Sequence, residues 1–142
     1  SNNNLVAQDL EKVASGGELS RILLALKVSL VQQTSGLALV FDEIDRGIGG
    51  ATAEAVGNRL SILSRNEQIL IVTHSPQVAS YSDNHLKVEK INFENLTNTK
   101  VEALNEDRVV KEIARMLSGE LITSEALAAA STLRNSSRMK VS

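Results

Sequence analysis

A chain of 142 residues that is 42% hydrophobic and 23% charged, with a formal net charge of -2, has the make-up of one globular domain large enough to bury a core. It holds no cysteine and only two histidines, which excludes disulfides and thiolate metal sites and leaves no ligand set for a structural zinc. No apolar run is long enough to cross a bilayer, Ser1–Asn4 shows no secretory pattern, and the missing cysteine fits a cytosolic protein. The balance of charge also lacks the basic footprint of a nucleic-acid-binding domain. A local exception, Arg134, Arg138 and Lys140 after Glu125, reads as a solvated positive end.

In chain order, residues 1–14 carry scattered apolar positions (Leu5, Val6, Leu10, Val13), which fit either the last turns of an incoming helix or a strand. From Gly16 to about Gln33, Leu19, Ile22, Leu23, Leu26, Leu30 and Val31 recur at helical spacing, and Gly36 ends that helix. Leu37–Phe41 is an unbroken apolar run closed by Asp42 and Glu43, the pattern of a strand buried on both faces of a parallel sheet. A glycine-rich turn, 47–50, leads to a helix from about 51 to 64, then to a second such strand at Ile69–Val72 that ends at Thr73 and His74. Pro76 suits the first turn of a short helix. Residues 86–93 and 100–104 read as a hairpin with Asn95–Asn98 in its turn, and helices over 106–118 and 124–133 close the chain, Gly119 capping the first. Strands alternating with helices predict an α/β domain with a mostly parallel sheet, flanking helices and a β-hairpin.

Three places could carry chemistry. Ser15 followed by Glu18 is a capping box ahead of a helical pattern. A cap does not need Gly16 and Gly17, each of which costs on the order of 1 kcal/mol against alanine in a helix. Bare glycines at a helix N-terminus open its free N–H groups to an anion, although a structural cap remains the simpler reading of this stretch alone. Asp42 and Glu43 sit at the C-terminal end of a buried strand, where ligands of open α/β sheets bind. Two adjacent carboxylates there call for a cation or hydrogen bonds, and magnesium prefers such hard oxygen donors. Successive strand side chains point to opposite faces, so the two acids have different roles. The alternative is a pair of loop acids capping a helix. His74 closes the next buried strand; a lone histidine is usually structural, but this one lies beside the Asp42 strand end if the strands are neighbours.

The order and spacing of these elements resemble the ABC ATPases. Ala14–Glu18 looks like the signature motif, Leu37–Glu43 like Walker B with its adjacent acid, Ile44–Gly47 like the D-loop, and Thr73–His74 like the switch-histidine loop. Within that superfamily the wording is closest to the RecN family, bacterial DNA-repair relatives of the SMC proteins. Val13–Arg21, Asp42–Asp45 with Gly50–Val56, Val72–His74 with Pro76–Ala79, and Ile113–Gly119 all carry the likeness, with Arg46 departing where many members have an apolar residue.

The resemblance implies the C-terminal lobe of an ATP-hydrolysing head over residues 15–142, with 1–14 the end of a returning coiled coil or a linker. It implies that Ser15, Gly16, Gly17 and Glu18 meet the γ-phosphate of ATP held on a second head, and that Asp42 holds magnesium through water. Glu43 would orient or deprotonate the attacking water, His74 would sense the γ-phosphate, and Asp45 would lie at the dimer interface near that water. The implied partners are a P-loop lobe of the same protein, a second head, and DNA; the implied setting is double-strand-break repair in the cytoplasm, at the nucleoid. No glycine here is followed by lysine, so the chain has no Walker A loop and is expected to be inactive alone. A head of another SMC-type or ABC-type ATPase, or a non-hydrolysing dimerisation module, are the competing readings. An intact Glu43 and His74 count against the module.

Overall fold

The computed structural model describes residues 38–45, 47–93 and 96–141. The helix expected from Gly16, the stretch Ser15–Glu18, and Arg46 lie outside the described residues.

Strand β1 (Ala38–Asp42) and strand β2 (Gln68–Val72) pair in parallel, with Ala38 opposite Gln68 and Asp42 opposite Val72. Helix α1 (Gly50–Leu63) connects them. It buries Ala53, Val56, Gly57, Leu60 and Ser61, the i, i+3, i+4, i+7, i+8 pattern of one helical face. That face packs with Phe41, Ile44 and Val78, and Leu39, Ile48, Ile69 and Ile71 close around them. The β1 and β2 residues in this core alternate along each strand, so one face of the sheet lies on α1. The other face departs from expectation. Val40, Leu70 and Val72 leave half or more of each side chain open, although the unbroken apolar runs predicted burial on both faces. The sequence carries residues for a second covering layer that the described residues do not supply.

A short helix, α2 (Pro76–Ala79), follows β2; Ser75 caps it, its hydroxyl accepting from the Val78 N–H at 3.4 Å. At Gly57, an added Cβ would stand 2.6 Å from Tyr81 Cδ2 and 3.2 Å from Val78 Cα, so the α1 backbone lies against the Tyr81 ring and the Val78 backbone with no room for a side chain of its own there.

Strands β3 (His85–Phe93) and β4 (Leu96–Leu104) form an antiparallel hairpin in which Phe93 pairs with Leu96. The hairpin is tighter than expected. Leu96, Thr97 and Asn98 belong to β4, so the turn signal of Asn98 is overridden by its ladder pairing with Ile91. One face of the hairpin presents Leu86, Val88 and Val101 with half or more of each side chain exposed. The opposite face turns Lys87 toward helix α3 (Glu106–Ser118), where its ammonium meets the Glu112 carboxylate at 3.2 Å.

Helix α3 has the expected bounds. Asn105 caps it through the Arg108 N–H at 3.1 Å, and Gly119 ends it at φ 82°, a left-handed conformation that suits glycine. Helix α4 (Ser124–Val141) runs eight residues beyond the expected end at Leu133. Ala126 and Ala130 pack with Val109, Ile113 and Ala114 of α3. The same stripe continues through Arg134 and Ser137, which are 2% and 1% exposed. The expected solvated positive end is corrected at Arg134, while Arg138 and Lys140 stay exposed. Arg134 is buried and held by Glu106, Arg138 also reaches Glu106, and Lys140 pairs with Glu54.

Candidate functional site

The acids and the histidine converge because β1 and β2 are parallel and in register. Asp42 is the last residue of β1 and lies opposite Val72, the last of β2, and His74 follows two residues on. All three sequence-predicted residues at this sheet edge, Asp42, Glu43 and His74, are exposed. Glu43 has φ 48°, the left-handed region, uncommon for a residue with a side chain and found at functional turns. Its N–H donates to the Val72 carbonyl at 3.1 Å, so the acid is fastened to the neighbouring strand just beyond the ladder.

Asp45 belongs to the turn that follows Glu43. It is 2% exposed, and its carboxylate turns inward: Oδ2 accepts from the Thr73 hydroxyl at 2.7 Å. Thr73 Oγ1 in turn accepts from the Ser75 N–H at 3.0 Å. The other Asp45 oxygen, Oδ1, is buried with no hydrogen-bond partner among the described residues. The Asp45 carbonyl accepts from the Ile48 N–H at 3.1 Å, which closes the turn before α1.

Among the described residues, no group of three or more histidine or acidic side chains is suited to hold a metal. One exposed carboxylate at the strand end, Asp42, does suit an ion that keeps most of its water and phosphate ligands. Ser15, Gly16, Gly17 and Glu18 cannot be located relative to this edge, since they lie outside the described residues.

Thr73 and Arg134 make contacts that neither the motif nor the charge run suggests. Thr73 stood only as part of a motif. Arg134 was legible as the third member of the stripe Ala126, Ala130, Arg134, Ser137 at helical spacing, had polar residues been allowed on a buried face. The Arg134 guanidinium donates to the carbonyls of Ser80 at 2.6 Å and Ser82 at 2.7 Å and to Glu106 at 2.8 Å, while Ser80 and Ser137 share a hydroxyl contact of 2.7 Å. The α2 turn, which carries the chain on from His74, is thereby locked onto α4.

In fold the likeness is to an SMC ATPase chain. A solved chain from work on ATP-driven dimerisation and DNA-stimulated activation of SMC ATPases superposes with TM-score 0.58, covering 78% of this chain and 66% of its own length at 19% identity. In sequence the likeness is to RecN. The chain is 48% identical over 132 residues to the DNA repair protein RecN of Rickettsia prowazekii (strain Madrid E), and 49% identical over 121 residues to that of Haemophilus influenzae. These matches take in 93% and 85% of the chain but only 24% and 22% of the relatives, so the chain spans about a quarter of their length. No protein-family model matches it.

Proposed function

We propose that residues 15–142 are the C-terminal lobe of an ATP-hydrolysing head in a RecN-type DNA-repair protein, with 1–14 leading in from a coiled coil or linker. The observation that carries this reading is the shared sheet edge: two exposed acids and an exposed histidine at the ends of paired parallel strands, with Glu43 pinned in a left-handed turn. Ligands of α/β sheets bind at such edges. Glu43 orients and deprotonates the attacking water, and His74 donates to the γ-phosphate. Asp42 holds the water shell of a magnesium ion, which when bound neutralises charge developing on the phosphates. Ser15, Gly16, Gly17 and Glu18 serve the nucleotide of a second head, as the resemblance to the signature motif implies.

Two open apolar faces support a partner lobe. The uncovered side of β1 and β2 and the outer side of the hairpin together expose Val40, Leu70, Val72, Leu86, Val88 and Val101. The P-loop lobe of the same protein covers the sheet face in this reading, and supplies the Walker A lysine that this chain lacks. DNA engages the assembled protein, in the cytoplasm at the nucleoid. Among the described residues no helix is long and apolar enough to cross a membrane.

The test is Glu43→Gln in the full-length protein. Hydrolysis should fall by roughly 10²–10⁴-fold while ATP stays bound and heads remain paired. Turnover at the wild-type rate would refute the assignment.

A further inference from the structure

The turn that bears Glu43 and the loop that bears His74 are joined by one side-chain hydrogen bond across 28 residues of sequence, Thr73 Oγ1 to Asp45 Oδ2 at 2.7 Å. The same hydroxyl oxygen accepts the Ser75 N–H at 3.0 Å. Thr73 and Ser75 flank His74, so the hydroxyl constrains the backbone on both sides of the imidazole, and its anchor is a carboxylate that is 2% exposed and cannot swing away. Ser75 is fixed from its other side as well, because its hydroxyl caps α2 and donates to Gln77 Oε1 at 3.1 Å. His74 itself is exposed. Its direction is thus set by its neighbours rather than by packing around the ring.

We propose that Thr73 is a positioning residue, which through the buried Asp45 carboxylate holds His74 at a fixed place relative to Glu43. The inference rests on the reading of Glu43 and His74 as the hydrolytic pair. Valine at 73 keeps the β-branched shape and loses both the donor to Asp45 and the acceptor for the Ser75 N–H. Serine keeps both. Because Thr73 never touches the nucleotide, its loss acts on the chemical step and spares binding.

The experiment is steady-state ATP hydrolysis by the full-length protein carrying Thr73→Val, Thr73→Ser, His74→Ala, Glu43→Gln, and the double change Thr73→Val with His74→Ala. Thr73→Val should lower kcat roughly tenfold or more with KM for ATP within about twofold, since a misplacement near 1 Å can cost a hundredfold. Thr73→Ser should return most of that loss. In the His74→Ala background, Thr73→Val should add nothing, because the residue it positions is gone. A wild-type kcat in Thr73→Val, or a loss that multiplies onto His74→Ala, would overturn the proposal; the second outcome is what a general weakening of the fold would give. If Glu43→Gln leaves hydrolysis unchanged, the hydrolytic reading itself fails. If Glu43→Gln abolishes turnover while Thr73→Val does not, only the positioning role fails.

Discussion

Replacing Arg134 with methionine should loosen the junction between the α2 turn and α4. The guanidinium is 2% exposed and makes four hydrogen bonds: to Glu106 Oε1 at 2.8 Å, Glu106 Oε2 at 3.2 Å, and the carbonyls of Ser80 and Ser82 at 2.6 and 2.7 Å. Glu106 is 47% exposed and keeps Arg138, so its half of the pair contributes little once solvent screening is allowed for. The larger loss falls on the carbonyls. The Ser80 oxygen would be left buried with no donor, and an unsatisfied buried acceptor costs about 1–3 kcal/mol. Allowing for the apolar surface that methionine buries in return, a net loss of about 2 kcal/mol is expected. Hydrogen exchange reads this directly in the full-length protein. The Ser80, Tyr81 and Ser82 amides donate to the carbonyls of Pro76, Val78 and Ala79. Their exchange should quicken roughly 30-fold, the equivalent of 2 kcal/mol, with Arg134→Lys between wild type and methionine. Unchanged protection at these amides in Arg134→Met would show that the guanidinium is not what holds the junction.

Burial, opposed by Glu112 and reinforced by Arg134, holds the His85 imidazole below its usual value, and its Nδ1 is buried without a partner among the described residues. A folded pKa lowered below the unfolded value makes stability complete above about pH 6.5 and lost as pH falls from there toward the folded value. Melting curves between pH 7.5 and 5 should show this slope in wild type and a flatter one in His85→Gln; equal slopes would refute it. Gly57→Ala drives a methyl to 2.6 Å from the Tyr81 ring and 3.2 Å from the Val78 backbone, an overpacking of about 1–3 kcal/mol that should appear as a Tm lowered by several degrees. An unchanged Tm would mean that the two elements are not in close contact.

Much of the site was legible because its residues sit where regular structure ends. Apolar runs of strand length fix where β1 and β2 stop, and so where Asp42 and His74 must emerge. The parallel register that brings them side by side could only be assumed from fold class. The inward turn of Asp45 was not readable, since aspartates are mostly exposed and its partner lies 28 residues away. The end of α4 was misjudged for a related reason. Asn135, Ser136, Ser137 and Arg138 look like a frayed polar terminus, yet Ser137 and Arg134 point inward and find partners on other elements. The continuous apolar character of β1 and β2 predicted burial on both faces, but among the described residues only the face on α1 is covered.

The close approach at Gly57 has a mechanical side. Helix α1 begins just after the turn that carries Glu43, and the α2 segment begins just after His74. With the α1 backbone seated directly on Val78 and Tyr81, and the Asp45 link nearby, neither segment can slide without carrying the other. The acid and the imidazole therefore ride on one stiff block. A motion that opens or closes the protein around a ligand would deliver both groups together, leaving their spacing from each other unaltered.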